Sequence, residues 1–229
     1  MKFRDLSRKI RAPFNRRTAF NKLEQFHGKK RSVDEIIDMA MDFKTTGLYR
    51  VDSVQKRDEI LALATAVKAI KPRTILEIGT CNGGTLFIWS NLASDCVITC
   101  DLNKTKIREE LYQSFPPEDS DCTVTSLAGD SHDENFLERV KATLAGREVD
   151  FLFIDGDHTE EGVKSDYYMY SPLVRKGGII AFHDILEKQP TPNNQVYYFW
   201  KEIKQSTDTE EFVKDYDQTG FCIGIIKVE

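Results

Sequence analysis

The chain has 229 residues, 40% hydrophobic and 30% charged, which are ordinary proportions for a globular protein. No run reaches the roughly 18 apolar residues that a membrane span needs, and the basic N-terminus lacks the apolar stretch of a secretory signal. The sequence therefore predicts a protein without a transmembrane segment and with a cytoplasmic location. Five cysteines show neither a CxxC pair nor zinc-ligand spacing, and the four that sit in or beside predicted strands are predicted to be small buried hydrophobes.

Charge is unevenly distributed along the chain. Residues 1–31 carry eleven Lys and Arg against two acids, a net charge of +9, while the remainder carries 21 basic and 35 acidic residues, a net charge of −14. A basic arm of this kind can contact a membrane surface or a polyanion. The aromatic-interleaved pattern typical of nucleic-acid binding is missing, so we expect a solvated or docked arm and no nucleic-acid partner.

The N-terminal region is predicted to be helical in parts. Residues 1–31 are read as a short helix and an irregular arm interrupted at Pro13, with His27 in solvent. Ser32 and Glu35 have the spacing of a capping box, and the helix that they begin is expected to stop near Gly47. A second helix is predicted over residues 53–70, with apolar side chains on one face.

An alternation of strands and helices follows. Five apolar strands, each followed by a helix, are predicted at residues 74–78, 97–100, 123–127, 149–154 and 179–182. Two final strands, near 211–216 and 221–227, are joined by a short turn and are predicted to form an antiparallel hairpin. This order indicates an α/β fold with a doubly wound, Rossmann-like, seven-stranded sheet that is mostly parallel and contains one antiparallel strand.

This order of elements resembles class I S-adenosylmethionine (SAM)-dependent methyltransferases over about residues 50–229. Residues 1–52 are read as a basic arm and helical N-terminal extension, and the resemblance implies a single methyltransferase domain at residues 53–229. The sheet's carboxyl edge is where ligands bind in such folds, so the polar residues at the ends of the strands are the candidate site.

The turn after the first strand reads EIGTCNGGT. Gly79, Cys81 and Gly84 have the spacing of the dinucleotide motif G-x-G-x-x-G, but Cys81 replaces the glycine that makes room for a pyrophosphate. Glu77 would repel a pyrophosphate and suits the cationic amino and sulfonium groups of SAM. NAD is therefore the least favoured cofactor.

The same turn is similar to the E-x-G-x-x-x-G-x-S/T turn of catechol and caffeoyl-CoA O-methyltransferases. Asp101 ends the second strand and can accept both ribose hydroxyl protons, while Asp130 ends the third strand and can reach an adenine amino group. The predicted cofactor-binding residues are Glu77, Gly79, Thr80, Cys81, Gly83, Thr85, Asp101, Asp130, Ser131 and Asp155.

The fourth and fifth strands end in D-G-D-H and H-D. Neighbouring strands lie about 4.8 Å apart, so these side chains can share one metal or one substrate. The segment resembles the metal-dependent O-methyltransferase branch that includes macrolide-sugar O-methyltransferases and cephalosporin hydroxylase-like proteins. That resemblance implies metal ligands at Asp155, His183 and Asp184 and makes His158 the base, with Asp155 and His158 as the catalytic pair.

His183 departs from this pattern, because the branch has Asp or Glu at that position. A nitrogen donor shifts preference from Mg²⁺ toward Mn²⁺, Fe²⁺ or Zn²⁺. Two other readings stay open: Asp155 and Asp184 hold the ion alone, or His183 is a second base.

The leading hypothesis is a SAM-dependent, metal-assisted O-methyltransferase acting on a hydroxyl of a small molecule such as a sugar, polyol or phenol. Loops at 49–55 and 187–194 are expected to set acceptor specificity. The alternatives are an iron-dependent oxidoreductase on the same site and a non-catalytic SAM-binding or membrane-docking module. The sequence leaves the metal, the acceptor and a homodimer open.

Overall fold

The computed structural model describes residues 3–103 and 105–229, with side chains from residue 15 onward. Its centre is a seven-stranded sheet in the order β3-β2-β1-β4-β5-β7-β6. The strands are β1 Thr74–Ile78, β2 Cys96–Asp101, β3 Thr123–Ala128, β4 Val149–Ile154, β5 Val174–His183, β6 Thr209–Phe212 and β7 Ile223–Lys227. Strand β7 runs antiparallel to both neighbours, and the other described pairs are parallel. The predicted sheet, including its antiparallel hairpin strand, is confirmed.

Helices cover both faces of this sheet. They are α1 Phe3–His27, α2 Val33–Asp42, α3 Arg57–Ala69, α4 Gly84–Ser90, α5 Lys106–Gln113, α6 Glu134–Leu144, α7 Glu160–Tyr170 and α8 Val196–Ile203. Successive residues of β1 point into opposite layers, so Ile75 belongs to one buried cluster and Leu76 to the other. Every residue of β1 and β4 is buried, which explains why these strands are continuous apolar runs without alternation.

The N-terminal arm differs from the prediction. Helix α1 is continuous from Phe3 to His27, so the interruption expected at Pro13 is wrong. Proline removes one helical hydrogen bond, but the later turns of α1 bury Ala19, Leu23 and Phe26 in the same core as the sheet. Tertiary packing of this kind outweighs a local preference.

His27 is also not in solvent. Its Nε2 lies 3.1 Å from the carbonyl oxygen of Phe115, and partial burial lowers the pKa of the imidazole. The expectation of a solvated His27 is therefore wrong, because the end of α1 docks on the loop that follows α5.

Several element boundaries shift for identifiable reasons. Ser32 and Glu35 form the predicted capping box, but α2 ends at Asp42, before Gly47. Helix α3 begins at Arg57, four residues later than predicted. The backbone before it packs against the start of α4, since a Cβ built on Gly84 would be 2.4 Å from the carbonyl oxygen of Asp52. Strand β5 begins at Val174, earlier than predicted. Its pairing with β4 shifts register between Val174 and Ile179, and Gly177, at φ 73°, lies in that irregular stretch.

Among the helices of the described residues, none combines the length and apolar character needed to cross a bilayer. The domain boundary placed between residues 52 and 53 remains a prediction.

Candidate active site

A cavity of about 930 Å³ opens at the carboxyl edge of the sheet. Most of the predicted site residues line it: Gly79, Thr80, Cys81, Thr85, Asp101, Asp130, Ser131, Asp155, His158, His183 and Asp184. Glu77, near the end of β1, and Gly83, in the turn that follows, are not part of the lining. The topology thus gathers residues that are up to 105 positions apart in the sequence, as counted from Gly79 to Asp184.

The first turn is held by close backbone packing. Gly79 has φ 98°, and a Cβ built there would lie 1.9 Å from the carbonyl oxygen of Asp155. The amide of Cys81, at φ 46°, donates to Oδ2 of Asp101 at 2.9 Å. The carboxylate predicted to bind a ribose therefore also braces the glycine turn, which fixes its distance from that turn.

Gly79→Ala is expected to lower the free energy of unfolding by more than about 3 kcal/mol, because both the clash and the positive φ must be accommodated. Gly146→Ala is the matched control, since Gly146 has φ 82° but nothing within 4 Å of the added Cβ. That control should cost about 1–2 kcal/mol from the backbone conformation alone. Urea denaturation of both variants measures the difference, and equal losses would contradict the close approach of Gly79 to Asp155.

Glu77 is fully buried beneath the turn. Thr99 Oγ1 donates to its Oε2 at 2.6 Å, while its Oε1 has no hydrogen-bond partner among the described residues. Burial raises the pKa of Glu77 to about 7, against the opposing effect of hydrogen bonds from threonines. Because Glu77 is fully buried and does not line the cavity, it can influence a ligand there only through its charge and through the turn that it supports, not by direct contact.

Glu77→Gln should stabilise the protein at pH 8. A carboxyl whose folded pKa lies near 7 instead of 4.5 favours folding below pH 4.5, and this advantage is lost as the pH rises through 7. At pH 8 the wild type should thus carry a cost of up to about 3 kcal/mol that the amide lacks. Thermal melts of both proteins between pH 5 and 8 check this, and parallel profiles would count against it.

Asp155 is the centre of the polar cluster. Its Oδ1 lies 3.2 Å from His158 Nε2 and 3.2 Å from His183 Nδ1, and its Oδ2 accepts a hydrogen bond of 3.2 Å from Gln55 Nε2. Burial alone would raise the pKa of Asp155, but the charge of His183 and the hydrogen bonds from both histidines lower it to about 2. Asp155 is therefore an anion across the physiological range.

Asp184 forms the second acidic position. Asn194 Nδ2 donates to its Oδ2 at 2.6 Å, and the amide of Phe221 donates to its Oδ1 at 3.0 Å. His183 Nδ1 is 3.5 Å from Oδ1, and His158 Nδ1 is 3.7 Å from Oδ2. The loop before α8 and the segment before β7 thus hold this carboxylate in place.

The two histidines differ in burial. His183 is 5% exposed, and although burial lowers its pKa, the charge and hydrogen bond of Asp155 raise it to about 9. The side chain of His158 is 40% exposed and lines the cavity, and its hydrogen bond with Asp155 raises its pKa. His158 is therefore the imidazole open to a substrate, and His183 is the one enclosed by carboxylates.

The donor set fits a divalent cation. One ligand atom each from Asp155, His158 and Asp184 lie within 4.8 Å of one another. His183 contacts both carboxylates beside this group. Two carboxylates with imidazole nitrogens suit Mn²⁺, Fe²⁺ or Zn²⁺ and can also hold Mg²⁺.

Two site residues were not singled out from the sequence. Gln55 and Asn194 lie inside the loops predicted to set specificity, yet each hydrogen-bonds a carboxylate of the cluster. Asparagine and glutamine are common in loops, so composition alone does not mark them. Asn194 lies in the loop that follows the acidic end of β5, so its position was a signal, whereas Gln55 precedes α3 and no strand end near it in the sequence points to Asp155.

Residues 76–185 match a family model described as a methyltransferase domain. The predicted resemblance to SAM-dependent methyltransferases is thus confirmed over these residues. An uncharacterized protein of Acanthamoeba polyphaga mimivirus is 29% identical over 130 residues, which are 52% of this chain and 54% of that protein. The match thus spans about half the length of that relative.

Solved structures support the same fold. MycE methyltransferase of the mycinamycin biosynthetic pathway, in complex with Mg and S-adenosylhomocysteine (SAH), gives a TM-score of 0.59 at 15% identity over 87% of this chain and 55% of MycE. An O-methyltransferase from Bacillus cereus in complex with SAH gives 0.55 at 19% identity, covering 85% of this chain and 90% of its own. TomG, an O-methyltransferase from Streptomyces achromogenes in complex with SAM, gives 0.57 at 14% identity, with 88% and 92% covered. At these identities the similarity establishes the fold.

Proposed function

We propose that this protein is a SAM-dependent O-methyltransferase that uses a divalent metal and acts on a hydroxyl group of a small molecule. The observation that carries the proposal is one cavity lined by the glycine turn, by Asp101 and by the Asp155–His158–Asp184 group. The turn and Asp101 suit a nucleoside cofactor, and the second group suits proton removal from a hydroxyl beside it. A common cavity would bring cofactor and acceptor within reach of each other.

The cofactor would occupy the side of the cavity nearest β1, β2 and β3. Asp101 Oδ2 is held by the amide of Cys81, and Oδ1 accepts from the amide of Asn103 at 3.1 Å, so the carboxylate is fixed for the two ribose hydroxyls. The unpaired oxygen of Glu77 adds negative potential beneath the turn, where the cationic end of SAM would lie. Asp130 and Ser131 line the end where an adenine would lie.

The acceptor would occupy the side nearest β4 and β5. Asp155 and Asp184 would hold the metal with His183, and the metal, when bound, supplies positive charge that orients a hydroxyl and lowers its pKa. His158 lines the open cavity and would take the hydroxyl proton on its imidazole. Holding both reactants side by side in one cavity would contribute much of the rate.

The acceptor is proposed to be small, with a hydroxyl or a vicinal pair of hydroxyls. A cavity of about 930 Å³ has room for a cofactor and a compact second molecule. Val54 and Leu102 lie at its mouth and are 60% and 69% exposed, so the entrance offers apolar contacts beside the charged interior. This combination suits a hydroxylated ring, either a sugar or a phenol.

Calorimetry tests the proposal directly. Chelator-treated protein is titrated with SAM and with SAH, first alone and then with Mg²⁺ or Mn²⁺ present. We expect micromolar binding of both nucleosides and a separate metal heat, after which vicinal-diol acceptors are screened for SAH release. Asp101→Asn should weaken SAH binding while the metal heat stays. Protein that binds neither SAM nor SAH under any of these conditions would refute the proposal, and iron content with oxygen-dependent turnover would favour the oxidoreductase instead.

A further inference from the structure

The segment just before β7 has an unusual backbone. Gly220, Phe221 and Cys222 follow one another with φ of 74°, 66° and 69°. This left-handed region suits glycine, whereas a phenylalanine and a cysteine adopt it at a cost that their surroundings must offset. Gly220 and Phe221 line the cavity. A backbone contact holds one end of the segment, since the amide of Gly220 donates to the carbonyl oxygen of Lys188 at 2.6 Å. The other end needs a separate anchor.

Glu59, a buried acid on α3, is that anchor. Its Oε2 accepts a hydrogen bond of 2.9 Å from the amide of Cys222, and its Oε1 accepts from Cys222 Sγ at 3.2 Å. Burial and the contact with Glu59 raise the pKa of the Cys222 thiol to about 12, so the thiol keeps the proton that it donates. Gln218 Nε2 donates to the same Oε1 at 2.8 Å. One carboxylate thus receives three donors from a single short segment.

The anchored segment reaches the candidate metal site through Phe221. The amide of Phe221 donates to Oδ1 of Asp184 at 3.0 Å, and its ring meets the imidazole of His183 edge-on, with the ring centroids 5.9 Å apart. Asp184 itself has φ 64°, so local backbone preference does not explain where its carboxylate lies. The amides of Phe221 and Cys222 are consecutive, and they donate to Asp184 and to Glu59. Movement of Cys222 away from Glu59 would therefore also move the Phe221 amide away from Asp184.

We propose that Glu59 is a positioning residue that fixes the Asp184 carboxylate for the divalent cation, through Cys222 and Phe221. The inference rests on the proposed function and deepens it, and it holds whether His158 or His183 completes the donor set, because Asp184 belongs to both. Glu59 does not line the cavity, so it acts through the segment and not by contact with a ligand. The role requires a carboxylate, since an amide offers one acceptor oxygen to three donors.

Calorimetry of the chelator-treated Glu59→Gln variant with Mn²⁺, and separately with SAH, tests the inference. The substitution keeps the size of the side chain but turns one acceptor oxygen into a donor that faces the donors of the segment. We expect Mn²⁺ to bind at least about tenfold more weakly, while SAH affinity stays within about threefold of wild type. Glu211→Gln is the matched control, because it removes a half-buried carboxylate that accepts from Trp200 and Lys204 on the same hairpin. It should leave both affinities within about threefold.

A second variant keeps the test decisive if Glu59→Gln does not fold. Gln218→Ala removes one donor to Glu59 from a partly exposed turn, and it should weaken Mn²⁺ binding by at least about threefold with SAH affinity unchanged.

The outcomes separate this inference from the proposed function. Wild-type affinity for Mn²⁺ in the folded variants overturns the inference and leaves the proposed function intact. Equal weakening of Mn²⁺ and SAH binding also overturns it, because Glu59 would then support the fold as a whole. Wild-type protein that binds SAH but no Mn²⁺ overturns the metal part of the proposed function and this inference with it.

Discussion

Replacing Asp155 with Asn should lower kcat/KM for methyl transfer by about three orders of magnitude or more. Asp155 accepts contacts from His158, His183 and Gln55 through its two oxygens, so its charge sets the protonation and orientation of both imidazoles. Asparagine keeps the shape of the side chain but supplies neither the charge nor the second acceptor oxygen. General-base catalysis contributes about 10²–10⁴-fold, and loss of a metal ligand adds to that.

Further measurements on the variant show whether the loss of activity comes from the missing charge and metal ligand. The Asp155→Asn variant should bind Mn²⁺ weakly in calorimetry, and the pKa of His183 should fall from about 9, because its main stabilising charge is gone. Circular dichroism confirms folding, and Glu161→Gln controls for removal of one carboxylate near the same turn. Turnover within about threefold of wild type in the Asp155→Asn variant would remove Asp155 from the proposed machinery.

The sheet was predictable because its strands are buried on both faces. Residues 74–78 and 149–154 read as uninterrupted apolar segments, and their predicted bounds coincide with β1 and β4. Elements whose ends depend on distant contacts were less predictable. The start of helix α3 depends on the packing of the backbone before it against Gly84. Helix α1 continues through Pro13 because its later turns are buried. Neither contact is encoded in local spacing.

The candidate site likewise has residues that could be predicted from the sequence and residues that could not. Residues at strand ends are brought to one edge by the topology itself, which is why Asp101, Asp155 and Asp184 could be placed in one cavity from the sequence. Gln55 reaches Asp155 from 100 positions away, and Glu59 reaches Cys222 from the inner face of α3. Helical periodicity marks Glu59 as facing inward but gives no reason for an acid there. Only the packed structure shows which partner it meets.

The roles of the two histidines are separable because their surroundings differ. His158 has 40% of its side chain exposed to the cavity, whereas His183 is enclosed between Asp155 and Asp184. Both lie 3.2 Å from the same oxygen of Asp155. A metal ligand must give up its proton when the ion binds, and a base must stay free of the ion and accept a proton from the acceptor. One histidine cannot perform both tasks in one turnover.

His158→Gln should therefore lower kcat by about 10²–10⁴-fold while Mn²⁺ affinity stays within about threefold of wild type. His183→Gln should weaken Mn²⁺ binding by at least about tenfold and change its preference toward Mg²⁺, because an oxygen or amide replaces an imidazole donor. Calorimetry with each ion and initial rates at saturating metal give both quantities, and His27→Gln controls for loss of an imidazole away from the cavity. The reverse pattern, with metal affinity lost in His158→Gln and retained in His183→Gln, would assign the metal to the Asp155–His158–Asp184 group and make His183 the proton acceptor.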